Sequence, residues 1–293
     1  MTAWYSDFVE ANGLKLHYTR TGARTGARTG ARTGARTGAS TSAGSGKPQV
    51  VLAHGFSDDG LCWTPVAEAL QADYDVIMVD ARGHGKSDGP EHGYGAAEYA
   101  ADYAGVIQGL QLTRPAVLGH SMGAMTALAL AGLYPDLPGK ILLEDPPPFW
   151  FPMAERTLPG RRSGMGQWII DTKRKTREEL IALCRAQSPG WSEAELEPWA
   201  DSKLRFSFNV LNQEGSTPVD WEAMIRNIHC PALLITADPD RGAIVTAESA
   251  AALKRLLPGV RIEHIAGAGH SIRRDQFAHY MAVVRAFLAT EAA

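Results

Sequence analysis

The sequence predicts an α/β fold in which a mostly parallel central sheet is flanked by helices and carries an inserted helical cap. Short apolar runs alternate with helix-like segments along most of the 293 residues. Such alternation is typical of a parallel sheet whose strands are buried on both faces. The alternation stops between about residues 146 and 227, a region rich in aromatic side chains. A cap inserted into the sheet domain explains this interruption.

The predicted strands begin with Leu14–Thr19, which alternates apolar and polar residues. Further strands are predicted at Gln49–Ala53, Asp75–Val79, Ala116–Leu118, Lys140–Leu143, Ala232–Thr236 and Arg261–Ile265. Helical segments are predicted at residues 64–71, 96–110, 122–134, 245–257 and 275–289. This order implies right-handed crossovers and a ligand site at the carboxyl ends of the strands.

Residues 21–46 form a predicted low-complexity loop, in which Thr-Gly-Ala-Arg occurs four times from Thr21 to Arg36. The repeat has no large apolar side chain, so it cannot bury enough surface to offset the entropy of ordering it. Its arginines leave an anion-binding arm open, but we favour an expanded repeat in a tolerant loop. The flanking strands, 14–19 and 49–53, are expected to pair as an interrupted hairpin.

The interruption of the pattern divides the chain into a core, residues 1–145 and 228–293, and a helical cap, residues 146–227. Within the cap, Thr176–Gln187 and Glu193–Phe206 have the periodicity of amphipathic helices. The cap aromatics either pack the cap on the core or line a substrate pocket. Phe149 and Trp150, at the start of the cap, are the candidates for the pocket.

Composition bears on partners and cofactors. The net charge of -3 gives no electrostatic reason to expect nucleic acid or an anionic membrane as a partner. Three widely spaced cysteines make neither a disulfide framework nor a metal site, and we expect no metal or organic cofactor. The first 13 residues lack a signal-peptide pattern, so a cytoplasmic protein with a small-molecule substrate is expected. A homodimer is left open.

The segment Gly119–Gly123 matches the Gly-x-Ser-x-Gly nucleophile elbow, directly between a predicted strand and a predicted helix. A turn this sharp leaves no room for side chains beside the serine. It also places Ser121 at a helix N-terminus, where backbone N–H groups favour developing negative charge. Ser121 is therefore the predicted nucleophile, and a glycine-rich turn without chemistry is the alternative.

The general base is expected late in the chain, because elbow serines are followed by an acid and then by a histidine. His270 fits this order best, since it follows the last predicted strand and lies in the glycine-rich loop Gly267–Ser271. By contrast, His264 lies within that strand, and His279 lies on the outer face of the last predicted helix.

Four segments together resemble the α/β-hydrolase superfamily, and within it the capped, esterase-like bacterial members: His54–Phe56, Asp80–Ser87, Gly119–Gly123 and Gly269-His270. The resemblance covers the chain except for the repeat. It implies an oxyanion hole made by the backbone N–H groups of Phe56 and Met122. It also implies a structural role for Arg82 and His84.

The resemblance leaves the third triad residue open. Asp240 follows the strand at 232–236 in the register that the superfamily usually gives its carboxylate, so it is the first choice. Asp238 and Asp145 are the alternatives, because each also follows a predicted strand. The acid would orient His270 and stabilise the imidazolium without taking the proton itself.

The expected reaction is hydrolysis of a small, apolar carboxylic ester through an acyl-enzyme on Ser121. A serine at the elbow argues against the related haloalkane dehalogenases and epoxide hydrolases, which use a carboxylate nucleophile. Lactonase, amidase or aminopeptidase, carbon–carbon bond hydrolase and cofactor-free perhydrolase activities would use the same triad and remain open. So does a ligand-binding protein that keeps the fold without turnover.

Overall fold

The computed structural model describes residues 4–22, 46–151 and 161–290. An open sheet of eight strands lies at its centre: β1 (Tyr5–Ala11), β2 (Leu14–Arg20), β3 (Gln49–Ala53), β4 (Asp75–Val79), β5 (Ala116–His120), β6 (Lys140–Glu144), β7 (Ala232–Thr236) and β8 (Arg261–His264). The spatial order is β1-β2-β4-β3-β5-β6-β7-β8. Only the pairings of β2 with β1 and with β4 are antiparallel in this sheet, so the predicted, mostly parallel sheet is confirmed.

The central strands are apolar because helices cover both of their faces. Every residue of β4, β5, β6 and β7 is buried. Successive side chains of a strand point to opposite faces, and Val51 and Leu52 accordingly belong to different hydrophobic clusters. The edge strand β8 is mostly exposed, which fits its polar sequence.

The α-helices of the described residues are α1 (Thr64–Leu70), α2 (Ala96–Gly109), α3 (Met122–Leu133), α4 (Arg161–Lys173), α5 (Arg177–Gln187), α6 (Glu193–Arg205), α7 (Trp221–Arg226), α8 (Ala247–Leu256), α9 (Ile272–Asp275) and α10 (Phe277–Leu288). Buried residues of α2, α3 and α8 belong to one hydrophobic cluster, and those of α1 and α10 to the other. The two clusters are the cores on the two faces of the sheet.

Helices α4 to α7 lie between β6 and β7 in the chain, where the strand pattern fails. The two amphipathic segments predicted there coincide with α5 and α6, whereas α4 and α7 were not predicted. Helix α5 begins with a capping box between Thr176 and Glu179. Helix α6 contacts α1 and the short 3-10 helix Gly60–Trp63 that follows β3. The segment is thereby held at the edge of the sheet where β3 ends.

The N-terminal strands differ from the prediction. Strand β2 does not pair with β3 but lies between β1 and β4. It joins β1 through Asn12 and Gly13, whose φ angles of 50° and 75° are positive, as tight two-residue hairpin turns require. The expected hairpin with residues 49–53 is therefore wrong, and β1 was missed. Of the predicted loop 21–46, residues 23–45 lie outside the described residues.

Candidate active site

Ser121 lies in a sharp turn between β5 and α3, at the carboxyl edge of the sheet. Its backbone has φ 51° and ψ -114°, and its N–H donates to the carbonyl of Glu144 (2.9 Å). A Cβ on Gly119 would collide with the carbonyl of Gly123, and a Cβ on Gly123 would collide with the carbonyl of Ala53. Backbone packing therefore requires glycine on both sides of the serine.

The two predicted oxyanion donors, Phe56 and Met122, belong to segments that lie next to Ser121. Met122 is the first residue of α3, so its N–H belongs to the first turn, where no intrahelical acceptor exists. Phe56 belongs to residues 54–59, which follow β3 and which we call the oxyanion loop. A Cβ on Gly55 of this loop would lie only 3.5 Å from the Cβ of Ser121. The loop and the serine are therefore in contact range.

Two buried histidines hold the oxyanion loop. His54 bonds the carbonyl of Gly55 through Nδ1 (2.8 Å) and an N–H that follows β4 through Nε2 (3.0 Å). His84 bonds the carbonyl of Arg82 through Nδ1 (2.8 Å) and the N–H of Ser57 through Nε2 (3.3 Å). Burial lowers the pKa of both, that of His84 to about 3. Both rings are thus neutral, and they support the loop.

His270 is paired with Asp145. Its Nδ1 lies 2.6 Å from an Oδ of Asp145, which directly follows β6. The Asp145 carboxylate is fully buried and also accepts the N–H groups of Ile244 (2.9 Å) and Val245 (2.9 Å). These donors fix the position of the carboxylate, with one oxygen facing the imidazole. The His270 side chain is 36% exposed.

The first choice for the acid, Asp240, does not meet His270. It is exposed on the 3-10 turn Pro239–Arg241, and no contact with His270 is found for it among the described residues. Asp238 is also occupied elsewhere, because it accepts the N–H of Gly267 (2.7 Å) and pairs with His264 (3.0 Å). The structure thus gives the position beside the histidine to Asp145, the alternative that follows the neighbouring strand β6.

His120, the residue before Ser121, joins three parts of the site. Its Nε2–H donates to the carbonyl of His270 (2.9 Å), and the two ring centroids are 4.7 Å apart. Its Nδ1 is buried without a hydrogen-bond partner among the described residues, against the backbone of Gly55. Burial, with Arg273 and His270 nearby, lowers the pKa of His120 well below its usual value. The neutral ring of His120 therefore contacts the backbone of both His270 and Gly55, next to Ser121.

A buried ion cluster lies behind these groups. Asp58 of the oxyanion loop pairs with Lys203 of α6 (2.6 Å) and with Arg274 (3.1 Å) and Arg273 (3.4 Å), which follow His270 in the chain. Two further carboxylates, Glu144 and Glu195, pair with Arg273 and Arg274 respectively. Burial alone would raise the pKa of Asp58, but Arg274, Lys203 and Arg273 hold it well below 3.8. The cluster joins the oxyanion loop, α6 and residues 267–275, which carry His270 and which we call the histidine loop.

Aromatic side chains from three elements meet beside the oxyanion loop. The ring of Phe56 lies 6.4 Å from Trp168 of α4 and 6.1 Å from Phe206, which follows α6. Trp168 and Phe206 are themselves stacked at 6.2 Å, and the ammonium of Lys173 lies over Phe206 (4.5 Å). The inserted segment thus adds an apolar wall next to a predicted oxyanion donor.

Phe149 and Trp150, the predicted pocket residues, have other contacts. The Trp150 side chain is buried in the core, and its indole N–H donates to the carbonyl of Ser249 (2.8 Å). Phe149 is 44% exposed and stacks on Trp221 (5.2 Å). These contacts do not support a pocket role for either residue. Sequence reasoning missed the wall described above because aromatic composition alone did not distinguish its members from other cap aromatics.

A groove of about 600 Å³ is lined in part by His270. The α5–α6 connection forms one wall and the histidine loop the other, and Arg241, Trp191 and Asp275 are among the lining residues. The groove is therefore bounded by both the inserted segment and the sheet domain.

The described residues contain neither a disulfide nor a metal-binding cluster. Cys62, Cys184 and Cys230 are buried free thiols whose pKa values are raised by burial. In the described ranges, no three His, Cys, Asp or Glu side chains are grouped as a metal site would need. Nor does any described helix have the length and apolar character to span a bilayer.

Comparison with known proteins shows which family the sequence matches. The model of the alpha/beta hydrolase family matches residues 50–284. N-formylmaleamate deformylase of Pseudomonas putida is 28% identical in an alignment of 293 positions, which covers 96% of this chain and 95% of that protein. The 2-(acetamidomethylene)succinate hydrolase of Mesorhizobium japonicum is 29% identical over 237 residues, covering 78% and 83%.

The fold comparison agrees. The crystal structure of E-2-(acetamidomethylene)succinate hydrolase superposes with a TM-score of 0.76 at 20% identity, and the match covers 98% of this chain and 100% of that one. The architecture is thus shared over the whole sheet and its helices.

Proposed function

Because the chain belongs to the alpha/beta hydrolase family, we propose that Ser121, His270 and Asp145 form a catalytic triad that transfers an acyl group to water. The observation that carries this proposal is the 2.6 Å contact between His270 Nδ1 and the buried Asp145 carboxylate. A carboxylate oxygen that accepts a hydrogen bond at Nδ1 selects the tautomer with its proton there. The Nε2 lone pair is then free to accept a proton from a hydroxyl group.

The proposed reaction begins with attack by Ser121. As the Oγ of Ser121 bonds to the acyl carbon, its proton passes to Nε2 of His270, and Asp145 stabilises the imidazolium. The N–H groups of Phe56 and Met122 hold the negative oxygen of the tetrahedral intermediate; one such donor contributes about 3 kcal/mol. The bond to the leaving group then breaks, and Nε2–H protonates that group.

Water completes the cycle. A water molecule gives its proton to Nε2 of His270 as its oxygen attacks the acyl-enzyme. Collapse of the second intermediate releases the carboxylic acid, and Ser121 recovers its proton. Each step moves one proton through the same nitrogen, so the reaction needs no further acid or base.

A small, apolar carboxylic ester is the first substrate class to test. Its support is the aromatic wall of Phe56, Trp168 and Phe206 beside one predicted oxyanion donor. Such a wall favours an apolar acyl or alcohol group, because burial of apolar surface contributes about 25 cal/mol per Å². The helices α4 to α6 would act as the cap of this site.

An N-acyl amide is the second substrate class. Its support is the names of the two relatives, which describe the hydrolysis of an N-formyl and an acetamido compound. The same triad would serve, with nitrogen in place of oxygen as the leaving atom protonated by His270.

The test compares a chain-length series of p-nitrophenyl esters with a series of N-formyl and N-acetyl amides. The variants Ser121→Ala and His270→Ala run beside the parent. Turnover that is lost in both variants supports the triad, and the preferred series decides between ester and amide. Binding without turnover of any substrate would instead favour a ligand-binding protein and overturn the proposal.

A further inference from the structure

The loop that carries His270 is held on both sides of that residue. The N–H of Gly269 donates to Oδ2 of Asp275 (2.8 Å), and the carbonyl of His270 accepts from His120 (2.9 Å). Three residues later, a backbone N–H donates to Glu144 (2.9 Å). The orientation of the imidazole therefore depends on side chains from separate elements.

Asp275 differs from His120 and Glu144, which also hold this loop, because it binds the inserted segment as well. Its Oδ1 accepts the indole N–H of Trp191 (2.8 Å), which lies in the α5–α6 connection. The Trp191 ring in turn lies over the guanidinium of Arg274 (4.6 Å). One exposed carboxylate thus connects the inserted segment to the residue that precedes His270.

We propose that Asp275 is a positioning residue for His270, through which the α5–α6 connection sets the orientation of the base. The inference rests on the proposed triad function. Asp275 touches none of the triad side chains in the described contacts, so it would act only through the N–H of Gly269. A base that serves Ser121, the leaving group and water must keep its alignment throughout, and small misplacements are costly.

The bonding of Asp275 allows the two connections to be separated. Asp275→Ala removes both bonds, whereas Trp191→Phe removes the indole N–H and keeps an aromatic ring for Arg274. Asp275→Glu keeps the carboxylate and tests rescue. Glu193→Ala is the matched control, because Glu193 lies two residues from Trp191 and its exposed pair with Arg185 does not reach the histidine loop.

Two readouts report on His270 rather than on stability. The first is the rate at which a fluorophosphonate probe labels Ser121, which needs no knowledge of the natural substrate. The second compares an alkyl ester with a p-nitrophenyl ester of the same acid, since only the alkoxide needs strong protonation by His270. Thermal unfolding of each variant is measured in parallel.

We expect Asp275→Ala to slow labelling about tenfold and to lower turnover of the alkyl ester more than that of the aryl ester. Trp191→Phe should change both in the same direction by a smaller factor, Asp275→Glu should recover part of the loss, and Glu193→Ala should match the parent. If Asp275→Ala proves unfolded, Trp191→Phe alone decides by the same two readouts.

A failure of the proposed function can be distinguished from a failure of the positioning role alone. A parent protein that the probe does not label would overturn the proposed function, and the positioning role with it. A labelled parent, with variants that react at the parental rate or lose both esters equally, would overturn the positioning role alone.

Discussion

Two carboxylates near the histidine loop differ in their surroundings, and this difference favours Asp145 over Asp240 as the acid of the proposed triad. Asp145 is fully buried and accepts two backbone N–H groups besides the imidazole of His270. Asp240 is exposed on a surface turn. A buried, fully bonded carboxylate holds an imidazole in one tautomer, whereas an exposed one is screened by water.

Asp145→Asn should therefore lower kcat by about 10³-fold or more, because an amide at this position favours the wrong tautomer of His270. Asp240→Asn is the matched control and should stay within about twofold of the parent, as surface changes usually do. Steady-state hydrolysis of the preferred p-nitrophenyl ester measures both. Equal losses in the two variants would contradict the assignment.

Among the elements, α6 is held to the sheet domain by charge rather than by apolar packing alone. Lys203 reaches Asp58 in the oxyanion loop, and Glu195 reaches Arg274 beyond the histidine. All four side chains are almost completely buried. Removing one partner of such a cluster leaves the opposite charge uncompensated in a medium of low polarity.

Asp58→Asn should lower the free energy of unfolding at pH 7 by about 3–5 kcal/mol. The pKa of Asp58 is depressed in the folded protein. Its contribution is thus fully present above the unfolded pKa of about 4 and is lost as the pH falls through the folded value. The difference between parent and variant should be constant from pH 5 to pH 7 and should shrink below about pH 4.

Urea unfolding at a series of pH values measures this difference. Asp73→Asn, in the exposed pair with Arg285, is the control and should change the stability little. A difference for Asp58→Asn that is equally large at pH 3 and pH 7 would argue against the ionised cluster.

The same elements show what local sequence patterns can and cannot predict. Strands β3 to β7 were predicted because burial on both faces demands continuous apolar residues. Strand β1 was missed because its residues are partly exposed and mixed in polarity. The predicted pairing of β2 was also wrong. Which strands pair is decided by the arrangement of the whole sheet, and the residue pattern of a single segment does not specify its neighbour.

For the whole molecule, the Thr-Gly-Ala-Arg repeat joins strands that are two positions apart in the sheet. Strand β4 lies between β2 and β3, so the ends to be bridged are about 10 Å apart. A linker of about six residues spans up to roughly 20 Å. The segment that contains the repeat is therefore longer than the connection from β2 to β3 requires.

Replacing residues 23–45 by a six-residue Gly-Ser linker should keep turnover within about twofold and stabilise the fold by about 1 kcal/mol, because the closed loop is shorter. Ester hydrolysis and urea unfolding measure the two effects. A large loss of turnover would instead assign the repeat a role and revive the anion-binding alternative.

Some residues of the candidate site could be predicted from the sequence, and others could not. Ser121 and His270 follow from a motif and from chain order, both of which are linear properties. The acid does not, because Asp145 and Asp240 follow adjacent parallel strands, and only the folded structure shows that Asp145 contacts the histidine. The aromatic wall depends on contacts between α4, α6 and the oxyanion loop, which no spacing along the chain encodes.

The backbone angles of Ser121 have a consequence for selection. Its φ of 51°, and that of 43° at Asp145, are positive at residues that are not glycine. Each such conformation stores about 1–3 kcal/mol of strain. Ser121→Gly should relieve part of it and raise the melting temperature while abolishing turnover. A screen for heat resistance alone would thus favour loss of the proposed nucleophile, so any directed evolution of this protein for stability must also select for activity at every round.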